Sequence, residues 1–258
     1  MTIQCRDIVY EYHVHKGLIA ALDHVSLSVA GGEFLCIVGP SGCGKTTLLK
    51  LIAGLLIPKS GTVTFDGQLT NHALRTAMVF QEHGLYPWMS VLDNVVLGLR
   101  LRGVSRKSRE EQAMALISQF GLHLFAQRFP HELSAGMRQR VSLARAFVVR
   151  PPVLLMDEPF ASLDALTKVV LQEELLRIWK RHTNQVVFVT HDIDEAILLG
   201  DRVLVMSGGP GRIVDDIPVS LARPRQRDDL MQSAIVRTKQ EIWNTLEAEV
   251  RKSAAPGS

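Results

Sequence analysis

Short apolar runs alternate with helical periodicity along most of this chain. Val25–Val29 and Phe34–Val38 are β-branched-rich runs on either side of Gly31-Gly32, a turn signal, and read as strands. Residues 45–53 read as a helix that stops at Gly54. Thr62–Phe65 alternates and ends at Asp66-Gly67, which predicts a strand closing on a hairpin-type turn. From 90 to about 149 the pattern is helical and charged, with no long strand, as expected of a helical subdomain inserted between strands. Three strand-like runs follow, Val153–Met156, Val186–Val189 and Val203–Met206, separated by helical segments near 164–181 and 192–199. Strands alternating with helices predict an α/β fold with a mixed, largely parallel sheet. After Pro224, Ile235, Ile242, Leu246 and Val250 recur at roughly helical spacing and predict an amphipathic helix packed on the domain through those positions.

Composition narrows the class. At 258 residues the chain holds one large domain, or a domain with a smaller companion. Apolar residues make up 47% and charged residues 21%, too apolar for disorder. Lys plus Arg is 29 against 26 acidic residues, a net +3, which argues against a dedicated nucleic-acid binder. No apolar run approaches the roughly 18 residues that cross a bilayer. The first residues lack the basic-then-apolar pattern of a leader. Three cysteines, Cys5, Cys36 and Cys43, with no CxxC spacing, fit a reducing cytosol better than a disulfide scaffold or thiolate zinc site.

The chemistry begins at Gly39-Pro40-Ser41-Gly42-Cys43-Gly44-Lys45-Thr46-Thr47, which satisfies GxxxxGK[ST] between a strand and a helix. Glycines let successive backbone N–H groups turn inward around a phosphate chain, and the following helix start adds its positive dipole end. Lys45 is placed to reach the terminal phosphates, and the Thr46 hydroxyl to ligate Mg2+. Cys43 reads as a loop-filling residue rather than an activated thiol, because phosphoryl transfer needs no thiolate. A second signal is Asp157-Glu158-Pro159 at the end of an apolar strand. In a phosphate-loop fold Asp157 would hold Mg2+ and Glu158 would act as general base on the attacking water. Read alone, the pair could be a strand surfacing into an acidic turn; the phosphate loop makes that the minority reading.

Leu133-Ser134-Ala135-Gly136-Met137-Arg138-Gln139-Arg140, which begins 24 residues before Asp157, resembles the signature motif of ABC-transporter ATPase subunits. The rest of that family's motifs occur in order. Gln81, within Met78-Val79-Phe80-Gln81-Glu82, resembles the Q-loop glutamine; Ser162-Leu163-Asp164 resembles the D-loop; His191 resembles the switch histidine. Tyr12 stands where the family carries the aromatic that stacks on adenine, with Tyr10 competing for that role. The resemblance covers roughly residues 3–220. It implies a phosphate-loop NTPase core with N-terminal antiparallel strands over 1–220, and a C-terminal helical extension over 221–258. It also implies hydrolysis of ATP with Mg2+ inside a head-to-tail dimer. Each ATP would meet the phosphate loop of one copy and Ser134 and Gly136 of the other; Asp164 is included among the nucleotide-binding residues. His191 would contact the γ-phosphate, and Gln81 the metal and the water. Two positions depart from the family pattern, Ala135 and Ala161, where glycine is usual. If Ala135 is helical, little is lost; otherwise hydrolysis is slowed.

The segment Val79–Trp88, together with Val91–Val95 and Gly136–Arg140, resembles the nitrate/sulfonate/taurine importer group. This implies a peripheral subunit on the cytoplasmic face of the inner membrane. Its expected partners are a second, identical ATPase subunit, integral membrane permease subunits and, indirectly, a periplasmic or lipid-anchored substrate-binding protein, with no nucleic acid. The alternatives are a soluble ATPase switch outside transport, or import of another small solute. Tyr86 and Trp88 are expected either to line the groove that receives a permease helix or to be buried within the subdomain. The basic cluster Arg100, Arg102, Arg106, Lys107 and Arg109 reads as a solvated face.

Overall fold

Two antiparallel strands open the chain where the apolar pattern is weakest. The computed structural model describes residues 1–15, 17–68, 75–182 and 184–254. β1 (Ile3–Val14) pairs with β2 (Gly17–Val29) and with β4 (Ser60–Phe65), giving a three-stranded sheet in the order β2-β1-β4. The registers Ile3↔Val29 and Ile3↔Phe65 bury all three side chains on one face. The far end of the β1–β2 hairpin carries exposed apolar residues, so the expected start at Val25 captures only the buried half of β2.

The chain divides into two units, 1–75 with 185–258, and 76–184. In the first, β3 (Phe34–Val38) lies between β7 (Gln185–Val189) and β8 (Arg202–Met206), parallel to both, and β9 (Ile213–Pro218) pairs antiparallel with β8. Every side chain of β3 and β7 is buried, which is why both read as unbroken apolar runs rather than alternating ones. α1 (Lys45–Ile52) packs on β2 and β7, and α6 (Ile193–Leu199) packs on β3 and β8. α7 (Ser233–Ala254) lies against α6, β8 and β9. It falls within the extension expected over 221–258, of which 255–258 lie outside the described residues. Its inward stripe corrects the expected one. Ile235 and Ile242 are buried as predicted, but Glu249 is buried and Val250 is half exposed, so the helix is rotated by about one residue at its end. Arg225 fixes the approach to α7: its guanidinium donates to the carbonyls of Ile197, Gly200 and Leu221. Burial lowers its pKa to about 10, which leaves it cationic at neutral pH.

In the second unit β5 (Thr76–Val79) runs parallel to β6 (Val153–Asp157). α2 (Val91–Leu101), α3 (Arg106–Gln119) and α4 (Ala135–Val148) pack on one another. Ser90 caps α2 by accepting from Asp93 N–H at 3.0 Å. Gly98 brings α2 against α4's end, since a Cβ there would meet Val149 Cγ1 at 2.4 Å. α5 (Ala165–His182) follows the acidic strand end. Cys5, Cys36 and Cys43 are all free and buried.

Candidate nucleotide site

The phosphate loop joins β3 to α1, with Gly42 at φ 77° and Gly44 at φ 95°. Both lie in the left-handed region that glycine enters without penalty. Gly44 also passes so close to Ala21 O that a Cβ would sit 2.6 Å from it. Lys45 is 6% exposed, and its ammonium donates to Gly39 O at 2.7 Å and Pro40 O at 2.9 Å. The cation is therefore held inside the loop rather than ranging through solvent. Burial pushes the Cys43 thiol upward against the opposing pull of Lys45, which disfavours the thiolate.

Tyr12 joins this group through its hydroxyl, 3.0 Å from Thr47 Oγ1. Tyr10 packs edge-on against Tyr12, with ring centroids 5.0 Å apart and planes at 80°. Through this hydroxyl Tyr12 reaches the first turn of α1, directly after the loop. β3 and β7 pair with Ile37 opposite Val189, which brings Gly39 and His191 out at the same strand edge. His191 is exposed at the head of α6. The turn around it is fixed: Thr190 Oγ1 accepts from Asp192 N–H at 3.0 Å, and Asp192 accepts from Glu195 N–H at 3.1 Å.

Gly211 carries no motif, yet it shapes the loop. It donates to Ala21 O at 2.9 Å, and a Cβ on it would lie 2.0 Å from the Cys43 carbonyl oxygen. Gly211→Ala is expected to displace the loop, at a cost of about 1–3 kcal/mol. Thermal melting should fall by several degrees, and titration with a fluorescent nucleotide should show roughly tenfold weaker binding. Unchanged affinity would mean that the loop tolerates the shift.

In the second unit, β5 and β6 pair with Val79 opposite Met156. Gln81 and Glu158 consequently emerge level with each other beyond the strand ends. Asp157 is 6% exposed. Glu158 adopts φ 45°, a conformation that costs a non-glycine residue energy and is met at functional turns. Ser134 caps α4, accepting from Met137 N–H at 3.3 Å. Ala135 is the first residue of that helix, so the departure from glycine costs it no backbone strain. Gly136 lies flat against Thr167, where a Cβ would come within 2.7 Å of Thr167 Cγ2. Asp164 accepts from Thr167 N–H at 3.0 Å. Hydrogen bonds from the Thr167 hydroxyl and N–H hold its carboxyl below the usual carboxylate range. Thr167 thus ties Gly136 to Asp164, a link for which the sequence carries no signal.

The loop after Gln81 is anchored on α4 and α2. His83 Nδ1 lies 2.7 Å from Gln139 Oε1. Arg145 donates to Gly84 O at 2.8 Å and His83 O at 3.2 Å, and its guanidinium lies 5.9 Å from the Tyr86 ring centroid. The buried Asn94 carboxamide accepts from Tyr86 N–H at 2.9 Å and donates to Met89 O and Ser90 O. This scaffold presents Trp88 outward at 70% exposure, tilted against Tyr86.

Comparison with known proteins agrees with this geometry. The family model described as ABC transporter matches residues 22–161, more than half of the chain. An uncharacterized ABC transporter ATP-binding protein of Methanocaldococcus jannaschii is 44% identical, spanning 95% of this chain and 90% of that protein. A taurine import ATP-binding protein of Chromobacterium violaceum is 44% identical over 86% of this chain and 92% of its own. A nitrate import ATP-binding protein of Synechocystis is 43% identical over 86% and 84%. Among solved structures, a dimeric post-hydrolysis state of an ATP-binding cassette with ADP and Pi superposes with a TM-score of 0.76 at 30% identity, covering 85% of this chain and all of that one. The mixed sheet, its helices and the antiparallel N-terminal strands are those of the phosphate-loop NTPase fold. The chain belongs to the ABC transporter family, as an ATP-binding and ATP-hydrolysing subunit of the group that holds the taurine and nitrate import cassettes.

Proposed function

We propose that this subunit energises uptake of a small anionic solute, of nitrate, sulfonate or taurine type, through a separate membrane permease. It would work from the cytoplasmic face of the inner membrane beside a second copy of itself. A substrate-binding protein would deliver the solute to the permease. The names of the taurine and nitrate relatives support the solute class. The observation that carries the transport reading is Trp88. A tryptophan 70% exposed on a loop held by Arg145 and Asn94 is a preformed apolar contact, of the kind a permease helix would cover.

In this reading the backbone N–H groups of Gly39–Thr47 and the Lys45 ammonium bind the phosphates, and Tyr12 stacks on the adenine. Thr46, Gln81 and Asp157 offer only oxygen donors, a set that fits Mg2+. Bound there, Mg2+ would neutralise charge developing on the phosphates. Glu158 accepts the proton of the attacking water, Gln81 orients that water, and His191 donates to the γ-phosphate. Ser134 and Gly136, at the capped start of α4, would serve the nucleotide of the second copy, with Asp164 beside them.

Cells lacking the subunit, complemented in turn, test this reading with labelled taurine, an alkanesulfonate and nitrate. Wild type should restore uptake of one of the three. Trp88→Ala protein should keep its ATPase rate within about twofold and lose most uptake, because a buried aromatic anchor contributes about 2 kcal/mol or more to an interface. Full uptake with Trp88→Ala would remove the docking role. Uptake of all three without any complementation would remove the solute class.

A further inference from the structure

Glu195 is a buried acid that none of the chemistry above uses. It is 4% exposed, on the helix that packs on β3, and its neighbours Ile193, Ala196 and Leu199 in that helix are buried and apolar. Burying a carboxyl is costly unless hydrogen bonds match it, so packing alone does not select glutamate here. Its place in the sequence suggests a capping acid, since Asp192 caps α6 and Glu195 stands three residues on. In a capping box the acid accepts from the N–H of the cap residue. Here the N–H of Asp192 donates to Thr190 Oγ1 at 3.0 Å, and the Glu195 carboxyl accepts from the Thr190 hydroxyl. Glu195 N–H donates to Asp192 Oδ1 at 3.1 Å, which closes a ring of three hydrogen bonds across His191.

We propose that Thr190 and Glu195 are positioning residues for His191. The Thr190 hydroxyl has one proton, and giving it to Glu195 turns a lone pair toward the N–H of Asp192. Thr190 is itself 2% exposed, and its N–H donates to Ile37 O at 3.2 Å, so it extends the β3–β7 pairing by one residue. His191 therefore leaves a point fixed to β3, the strand that runs into the phosphate loop, and is followed at once by a fixed helix cap. The backbone is held on both sides of His191, while the residue itself is exposed. A side chain that must meet one phosphate oxygen gains from this, because a misplacement of about 1 Å can cost roughly 100-fold in rate. The inference rests on the contact proposed above between His191 and the γ-phosphate.

Single-turnover hydrolysis of Mg-ATP by the full-length protein tests it, with nucleotide affinity measured alongside and each variant assayed well below its melting temperature. Thr190→Val removes the hydroxyl at nearly constant shape, and should slow hydrolysis about tenfold while affinity stays within about twofold. Thr190→Ser restores the hydroxyl, and should bring the rate back to within about threefold of wild type. Glu195→Ala should cost about as much as Thr190→Val, since the two side chains share one bond. Positioning is separated from a merely structural role in the His191→Ala background. There Thr190→Val should slow hydrolysis by less than about twofold more, because the group it positions is gone. The full Thr190→Val loss persisting in His191→Ala, no recovery in Thr190→Ser, or a wild-type rate in Thr190→Val would overturn the proposal. His191→Ala alone tests the reading beneath it, and should slow hydrolysis about 100-fold. A wild-type rate there would remove the γ-phosphate contact and this inference with it. A slow His191→Ala beside a Thr190→Val of wild-type rate would remove the positioning role and leave His191 in its own.

Discussion

Lys45→Ala is expected to abolish nucleotide-dependent activity while leaving the fold intact. The side chain is 6% exposed, and its ammonium already sits against Gly39 O and Pro40 O, within the turn that a phosphate chain would enter. A charge held in place needs little reorganisation when its partner arrives, and it acts in a medium that screens poorly. Removing one such preorganised donor costs about 2.7–4 kcal/mol in comparable sites, a factor of roughly 100 to 1,000. ATP hydrolysis by the variant should therefore fall below about 1% of wild type, and affinity for the triphosphate should fall with it. Two loop carbonyls lose a partner, which costs about 1–3 kcal/mol of stability at most. Thermal melting should register that loss as a modest shift. Lys45→Arg separates charge from geometry. The planar guanidinium keeps the charge but cannot fit a pocket shaped around an ammonium between two carbonyls 2.7 and 2.9 Å away, so it should be nearly as inactive. Hydrolysis within threefold of wild type in either variant would exclude Lys45 from phosphate binding.

The parts of this site that the sequence reveals are those where chemistry dictates residue type over a short span. Gly42 and Gly44 are needed for positive φ, Lys45 for charge, and Asp157 and Glu158 for carboxylates at a strand end. The buried strands β3, β6 and β7 are equally plain, because burial on both faces leaves unbroken apolar runs. Less is visible where contacts come from distant chain. Tyr10 and Tyr12 are two apart on one strand and share a face, so periodicity treats them alike; only the fold shows which hydroxyl reaches Thr47. Gly211 and Thr167 act through close approach to Cys43 and Gly136, and neither sits in a recognisable pattern. The hairpin β1–β2 is largely exposed at its far end, so it has no alternation to read. At the end of α7, Glu249 takes a buried position and Val250 an exposed one. Hydrophobicity alone would assign them the other way. Ala135 shows the reverse case: whether a methyl is tolerated depends on φ, and the helical start of α4 answers it.

Glu158→Gln is expected to stop hydrolysis while preserving nucleotide binding, and the two effects together should trap a dimer. The turn holds Glu158 at φ 45° directly after Asp157, level with Gln81 across the β5–β6 pair. A strained residue at that point is poised for a task that packing does not require. An amide has nearly the carboxylate's shape but cannot take a proton from water. Loss of a general base lowers the rate by about 100- to 10,000-fold. The phosphate loop and Asp157 are untouched, so affinity for ATP should stay within a few fold. If two copies close on two nucleotides, slow hydrolysis leaves the closed form populated, because a bound ligand stabilises whichever state contacts it most. Light scattering of the variant should then show a dimer with Mg-ATP and a smaller mass with Mg-ADP. Combining Glu158→Gln with Lys45→Ala should remove the ATP-dependent dimer, since the ligand that bridges it no longer binds. Retained hydrolysis in Glu158→Gln would move the base elsewhere. A variant that binds ATP, does not hydrolyse it and stays monomeric would break the sandwich while leaving Glu158 in its role.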